Sequence, residues 1–238
     1  MISMLINQNP LVLIGGIGTF TAILSIVFKD ALLGLVAGVQ ITADDLLRIG
    51  DWVEIPSQGV EGTVQDISLI TVKILAFDNT LFTIPAYTFL STPFRNWHTA
   101  INSKARRVNR TVALDVKTIK NLEKKEVETI LNKYNIEGLR EAIENDEANS
   151  GSVTNLVLFR ELLVRKLKED SRVCKDRLIV CQISGESSSK GLPVEFIFFT
   201  NQTDWVPYSS VSANKLDLAI NLATELGLKL FQDKSDNF

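Results

Sequence analysis

The stretch FKDALLGLVAGVQITADDLLRIGDWVEI, residues 28–55, runs from an apolar helical pattern through small residues into a β-strand pattern. Gly is roughly 1 kcal/mol worse than Ala in a helix interior, so Gly34 and Gly38 weaken the helix that contains them. We therefore expect a partner outside the single chain to make these small residues worthwhile. The change of period at Asp51 marks the point where an N-terminal helical part meets a β-domain.

The sequence before this stretch has the length and composition of a membrane span. Residues 11–28 (LVLIGGIGTFTAILSIVF) contain no charged side chain. Eighteen helical residues extend ~27 Å, against roughly 30 Å for the hydrocarbon core of a bilayer. A secretory signal fits less well, because no charged segment precedes Leu11 and no cleavage pattern follows it. A buried helix of a soluble core is the other alternative.

Small residues recur along this helix at helical spacing. They are Gly15, Gly18, Ala22 and Ser25 in the span, and Ala31, Gly34, Ala37 and Gly38 after it. In lipid, helices associate through small side chains that let their backbones approach closely. The pattern predicts packing against other helices, from copies of this chain or from segments outside it. A lone anchor with incidental glycines is the alternative.

The pattern predicts where these helices begin and end. Pro10 suits a first helical turn, so the sequence predicts one helix over 10–28 and a second over 31–47. Lys29 and Asp30 separate the two helices as the first charged pair, and Gly50 is the expected stop.

Two further domains follow. From Asp51 to Trp97, short segments with period-two alternation and turns at 57–59 and 78–80 predict a small antiparallel β-domain, with one helical turn in AYTFLST, residues 86–92. Residues 103–233 show a βααββαβ order typical of an α+β sandwich, with a solvated acidic loop at 141–152 and a polar turn at 187–191. We expect domains at 1–50, 51–100 and 101–238.

Composition excludes several classes of function. Lysines and arginines number 25 against 28 acidic residues, for a net charge of −3, which gives no electrostatic argument for nucleic acid. Cys174 and Cys181 are too few for a disulfide framework and are expected to be free thiols. His98 is the single histidine, so we expect no metal site, no cofactor and no catalytic residues.

The order of four motifs resembles the small-conductance mechanosensitive channel (MscS) family. They are the helix ending in Ala37-Gly38, the strand GDWVEI (50–55), GVEGTVQDISLITVKI (59–74) and DNTLFTIPAYTFLSTPFRNW (78–97). This resemblance covers roughly residues 11–100. More weakly, LPVEFIFFTNQTDWVPY (192–208) and LGLKLF (226–231) resemble the miniconductance, YbdG-like branch.

The resemblance implies a membrane protein with one transmembrane pore helix, a kinked interfacial helix, an Sm-like β-domain and a C-terminal α/β vestibule domain. It implies that Ala22 and Ile26, four residues apart on one helix face, form the apolar constriction and that Phe28 lies at the cytoplasmic mouth. Lys29 and Asp30 fall where the pore helix of the family kinks. The helix-packing residues are Gly15, Gly18, Ser25, Gly34 and Gly38.

The resemblance also implies an assembly and a location. The expected assembly is a homo-heptamer in a bacterial inner membrane with cytoplasmic C-terminal domains, contacting lipids and permeating ions but no nucleic acid. The expected activity is release of ions and small solutes when membrane tension rises in hypo-osmotic shock. The tension-sensing helices of the family are not found here, so we expect the chain to be a fragment of a multi-pass protein.

Three positions depart from the family pattern. Asp30 stands where many relatives have Gly, which puts an easy hinge in doubt. Ala86 replaces Asn in the family motif IPN, and Ala22 is smaller than the usual leucine.

Other classes of function remain as alternatives. An Sm-like fold also suggests an RNA-binding ring, but the dense basic run Arg106, Arg107 and Arg110 falls after the β-domain. A membrane-anchored oligomerisation module is a further alternative. An enzyme is disfavoured because nothing pairs Asp44, Asp45 or Glu195 with a nucleophile or a metal ligand.

Overall fold

The computed structural model describes residues 10–134, 153–185 and 190–232. The chain divides into two compact units, Met1–Thr99 and Ala100–Phe238. The predicted acidic loop at 141–152 lies outside the described residues, as does most of the predicted turn at 187–191.

The first unit begins with one long helix, α1 (Pro10–Ala43), followed by a five-stranded sheet. The strands are β1 (Trp52–Ile55), β2 (Val60–Ile67), β3 (Thr71–Ala76), β4 (Leu81–Pro85) and β5 (Arg95–Asn96); a 3-10 turn (Pro56–Gln58) follows β1, and α2 (Thr88–Ser91) follows β4. The sheet order is β4-β3-β2-β1-β5 and every pairing is antiparallel. The predicted β-domain and its single helical turn are therefore present.

The core of the first unit lies between the sheet and the end of α1. Val53, Val64, Val72 and Ile74 from the strands are buried together with Ile41 from the helix. Alternate residues of each strand supply this core, as expected for a sheet with one packed face.

The predicted division of α1 into two helices is wrong. The helix runs without interruption through Lys29 and Asp30, because neither residue removes a backbone donor as Pro would or loosens the backbone as Gly does. The bend that the family resemblance implies at these residues stays a prediction.

The predicted stop at Gly50 is also wrong, because the helix ends earlier. Asp45 adopts a left-handed backbone conformation with φ 53°, which Asp tolerates better than most residues. The Leu46 N–H then bonds back to the Ile41 carbonyl at 3.0 Å, a Schellman-type ending. Gly50, with φ 94°, turns the chain into β1.

The second unit places two helices on one face of a three-stranded sheet. Its elements are α3 (His98–Asn102, which begins in the first unit), β6 (Arg106–Leu114), a 3-10 turn (Val116–Thr118), β7 (Asn121–Leu122), α4 (Lys124–Tyr134), β8 (Val153–Thr154), α5 (Asn155–Glu169), β9 (Val180–Ile183), β10 (Leu192–Thr200) and α6 (Trp205–Glu225). The sheet order is β6-β10-β9, and β7 pairs with β8. The predicted last strand is an isolated bridge between Leu114 and Leu230.

The core of the second unit joins these layers. Val108, Phe196 and Phe198 from the sheet are buried with Phe159 of α5 and Leu222 of α6. The α+β class agrees with the prediction, but the predicted order βααββαβ lacks the short β7–β8 pair and ends in a strand that the structure reduces to a bridge.

Candidate functional site: the apolar helix and its contact with the β-domain

The first two thirds of α1 are exposed along the described residues. Its apolar side chains are exposed there; Leu11 and Ile26 each expose 75% of their surface and Phe20 exposes 66%. Burying apolar surface gains about 25 cal/mol per Å². Exposure of these apolar side chains to water is therefore strongly unfavourable. Among the described residues, one helix, Ile14–Ala43, is long and apolar enough to cross a membrane.

The last third of α1 packs on its own β-domain. Ala37 and Ile41 are buried, and Gly34 and Gly38 face the turn that joins β2 to β3. A Cβ on Gly38 would lie 2.0 Å from the carbonyl oxygen of Leu69 in that turn. Only a residue without a side chain allows this approach.

Two of the small residues have a partner within the chain. Gly34 and Gly38 face Leu69 and Ile70 of the β-domain, where a Cβ on Gly34 would lie 3.3 Å from the Ile70 Cβ. Within the chain the β-domain is thus what requires small residues here, and the predicted packing of both glycines against other helices stays a prediction. Their spacing of four residues puts them on one face of the helix.

A buried carboxylate holds the segment after α1 to the sheet. Asp51 is 6% exposed. Its carboxylate accepts hydrogen bonds from the Arg48 backbone N–H at 3.0 Å and from the Asn96 side-chain amide at 2.8 Å. His98 Nδ1 lies 3.0 Å from its other oxygen. The same Asn96 amide also donates to the carbonyl of Leu46 at 3.2 Å.

This network connects the end of α1, β1 and β5 around one side chain. The sequence signal for it was the GDW segment at the helix-to-strand change, but no role had been inferred for Asp51 or Asn96. Asp45 and Arg48 form a neighbouring exposed ion pair, and the hydrogen bond from Arg48 holds the pKa of the Asp45 carboxyl below its usual value.

The structure places the predicted constriction residues on the bare part of the helix. Ala22, Ile26 and Phe28 are all exposed. A single chain does not bring copies of these residues together, so their role as pore lining stays a prediction.

The predicted packing residues of the span have the same status. A Cβ on Gly15 or Gly18 would meet nothing within 4 Å, and Ser25 is exposed. Their predicted packing against other helices therefore has no counterpart within the described chain, and it stays a prediction.

The β-domain also has an exposed apolar edge. β4 is the last strand on one side of the sheet, and its Leu81 and Phe82 are exposed together with the neighbouring Phe77. Unpaired strand edges of this kind are ready to pair with another chain.

Both cysteines are free and lie in the second unit. Burial raises the pKa of the Cys181 thiol to about 12 and also raises that of the half-buried Cys174. Neither is the low-pKa thiol that nucleophilic catalysis requires. No group of three or more potential metal ligands occurs within the described ranges.

Comparison with known proteins identifies the class of this fold. Residues 30–99 match the family described as the β-domain of mechanosensitive ion channels. The chain is 30% identical over 155 residues to the low conductance mechanosensitive channel YnaI of Escherichia coli, covering 65% of this chain and 41% of YnaI. It is 32% identical over 84 residues to the small-conductance mechanosensitive channel MscMJ of Methanocaldococcus jannaschii, covering 35% of this chain and 23% of MscMJ.

Solved structures share the fold. The crystal structure of Helicobacter pylori MscS in a closed state superposes with a TM-score of 0.63 at 15% identity, over 95% of this chain and 72% of that one. The cryo-EM structure of Arabidopsis thaliana MSL1 gives 0.64 at 15% identity, over 94% and 66%. The matched β-domain is therefore of the mechanosensitive-channel class, and the chain shares the fold of these solved structures.

Residues 30–99 thus carry the β-domain of the mechanosensitive ion channel family, and the relatives that the chain resembles are channels of the MscS type and not enzymes. The chain spans less than half the length of the curated relatives it matches. These relatives do not confirm the narrower resemblance to the miniconductance, YbdG-like branch, which stays a prediction.

Proposed function

We propose that copies of this chain assemble into an ion channel that opens under membrane tension and releases ions and small solutes in hypo-osmotic shock. One observation carries the proposal. The first two thirds of α1 expose their apolar side chains, and its last third packs on a β-domain of the mechanosensitive-channel family. The C-terminal end of α1 is thus held by the β-domain, and its N-terminal part is exposed for contact with lipid and with other copies of the chain.

The proposed pore is an assembly of α1 helices around water, seven by analogy with the family. Ala22 and Ile26 form apolar rings, and Phe28 lies at the cytoplasmic mouth. A narrow apolar ring expels water and blocks ions without a plug. Tension favours the state with the larger area in the membrane plane, so the helices separate and the ring fills with water.

The remaining parts have supporting roles in this proposal. Gly15, Gly18 and Ser25 let neighbouring helices pack closely, as small residues do in lipid. The exposed β4 edge supplies a contact between copies. The second unit forms a cytoplasmic vestibule, and the assembly lies in a bacterial inner membrane.

The experiment is patch recording from liposomes that contain the full-length protein, with suction applied stepwise. Ile26→Ser places a hydroxyl in the apolar ring, and we expect current at lower tension or without tension, because a polar ring stays wet. Val27→Ser is the matched control, since Val27 is also an exposed apolar residue but lies about 100° further round the helix.

Two results would overturn the proposal. The first is a native protein that gives no tension-activated current. The second is an Ile26→Ser channel whose tension threshold equals that of the native channel.

A further inference from the structure

Two charged residues, Lys29 and Asp30, occur within α1. Both are exposed, and neither takes part in an ion pair in the portion of the chain that the structure describes. Charged side chains within membrane helices are expensive and generally face water-filled cavities or the bundle interior. The direction in which each side chain leaves the helix therefore matters.

Because the helix is uninterrupted, directions can be compared along its length. Ala22, Ile26, Lys29 and Leu33 follow one another at spacings of four, three and four residues, which places them in one stripe. At 100° per residue, Lys29 lies roughly 40° from the line midway between Ala22 and Ile26. We call these four residues the Ala22 stripe.

By the same measure Asp30 lies roughly 60° from that line, on the opposite side of it from Lys29. It precedes Gly34 by four residues, so it lies one turn above Gly34 on the same face. That face is the one packed on the β-domain, where Gly34 meets Ile70. The two opposite charges thus flank the line midway between Ala22 and Ile26: Asp30 lies on the side that meets the β-domain, and Lys29 lies on the other side, roughly 20° nearer that line.

We propose that Lys29 lines the ion path just beyond the apolar rings, where copies of its ammonium group form a ring that favours anions over cations. This inference rests on the proposed function, since it needs the Ala22 stripe to face the pore. Rings of basic side chains are the arrangement by which pores favour anions. One turn of helix separates Lys29 from Ile26, so every ion that crosses the apolar ring passes this charge.

The test is the reversal potential of tension-activated current in patches with a KCl gradient. Lys29→Gln removes the charge, and we expect the ratio of chloride to potassium permeability to fall by roughly twofold to fivefold, the range expected for one charge at ~4 Å in screened water. Lys29→Glu is expected to lower the ratio further. Lys29→Arg keeps the charge and should keep the native ratio.

Asp30→Asn is the neighbouring control, because it changes the charge by the same amount on the side of the stripe that meets the β-domain. It is expected to move the reversal potential by less than Lys29→Gln does. The inference is overturned if Lys29→Gln opens under tension with the native reversal potential, including the case where only its tension threshold shifts, as a contact with lipid headgroups would produce. Failure of the native protein to conduct is a different outcome, which overturns the proposed function itself.

Discussion

The carbonyl oxygen of Leu69 occupies the place that a side chain on Gly38 would need, 2.0 Å from the ideal Cβ position. Backbone cannot swing aside as a flexible side chain can. The helix and the β2–β3 turn are therefore in contact only because residue 38 is glycine.

Gly38→Ala is expected to separate α1 from this turn and to destabilise the first unit. Overpacking a tight contact typically costs about 1–3 kcal/mol, against which the better helix propensity of Ala returns at most about 1 kcal/mol. Thermal unfolding of the detergent-solubilised protein, followed by circular dichroism, measures the change. We expect a lower midpoint for the variant.

Gly16→Ala is the control for this substitution. A Cβ on Gly16 meets nothing within 4 Å, and Gly16 has no role in the proposed helix packing, so the gain in helix propensity is unopposed and the midpoint should stay or rise. Equal midpoints for Gly38→Ala and the native protein would show that the contact with Leu69 is not held in solution.

Asp51→Asn is expected to loosen the joint between α1 and the sheet. An asparagine can keep one oxygen as the shared acceptor of the Arg48 N–H and the Asn96 amide, but its NH2 then replaces the carboxylate oxygen that lies 3.0 Å from His98 Nδ1. Leaving a buried polar group unsatisfied costs about 1–3 kcal/mol. Hydrogen exchange measured by mass spectrometry should show faster exchange in the peptide that contains residues 46–52.

Asp44→Asn makes the same chemical change at an exposed position and should leave that exchange rate at its native value. If both variants exchange alike, the Asp51 network does not hold the joint together.

The second unit should lose stability in acid because of Asp170. Hydrogen bonds from Arg172, and then from Lys215 at 2.6 Å, hold the pKa of this carboxyl well below its usual value. A carboxyl with a depressed pKa in the folded state stabilises the fold above its unfolded pKa of about 3.9 and loses that contribution as pH falls toward the folded value. Chemical unfolding of the full chain, followed by Trp205 fluorescence, should show this decline below about pH 4.

Asp170→Asn removes the titrating group, so the variant should be less stable at pH 7 and its acid decline should be shallower. Trp52→Phe and Trp97→Phe in the same chain limit the fluorescence signal to the second unit. Asp176→Asn, whose side chain is 79% exposed, is the control and should keep the native pH profile. If the free energy of unfolding falls in parallel with decreasing pH for the native chain and for Asp170→Asn, Asp170 is not the cause of the decline in acid.

Much of the fold followed from local patterns in the sequence. Alternation of Val, Ile and Thr predicted the β-strands, because a sheet with one packed face imposes a period of two. The second helix of the predicted βααββαβ order forms α5, and the Thr154 hydroxyl caps its first turn by accepting a 3.3 Å hydrogen bond from the Val157 N–H. These features depend on neighbours in sequence, which a sequence displays directly.

The errors came from contacts between residues distant in sequence. Gly38 is small because of Leu69, 31 positions later, and nothing near Gly38 indicates that partner. The helix end was misplaced because Asp45 takes a left-handed conformation that local preference assigns first to Gly. The constriction residues Ala22 and Ile26 depend on copies of the chain, so neither one sequence nor one chain tests them.

The unbroken course of α1 constrains how a channel of this kind could move. Ile26 and Gly38 lie twelve residues apart, about 18 Å along one stiff rod. A rotation of α1 about its own axis that turns Ile26 away from the proposed pore also turns Gly38. Gly38 has no free space beside Leu69 for such a rotation. In the proposed channel, opening would then move the β-domain together with the helix, break the contact between Gly38 and Leu69, or bend the helix between Ile26 and Gly38. Each of these changes leaves a different distance between Ile26 and Leu69 in the open state.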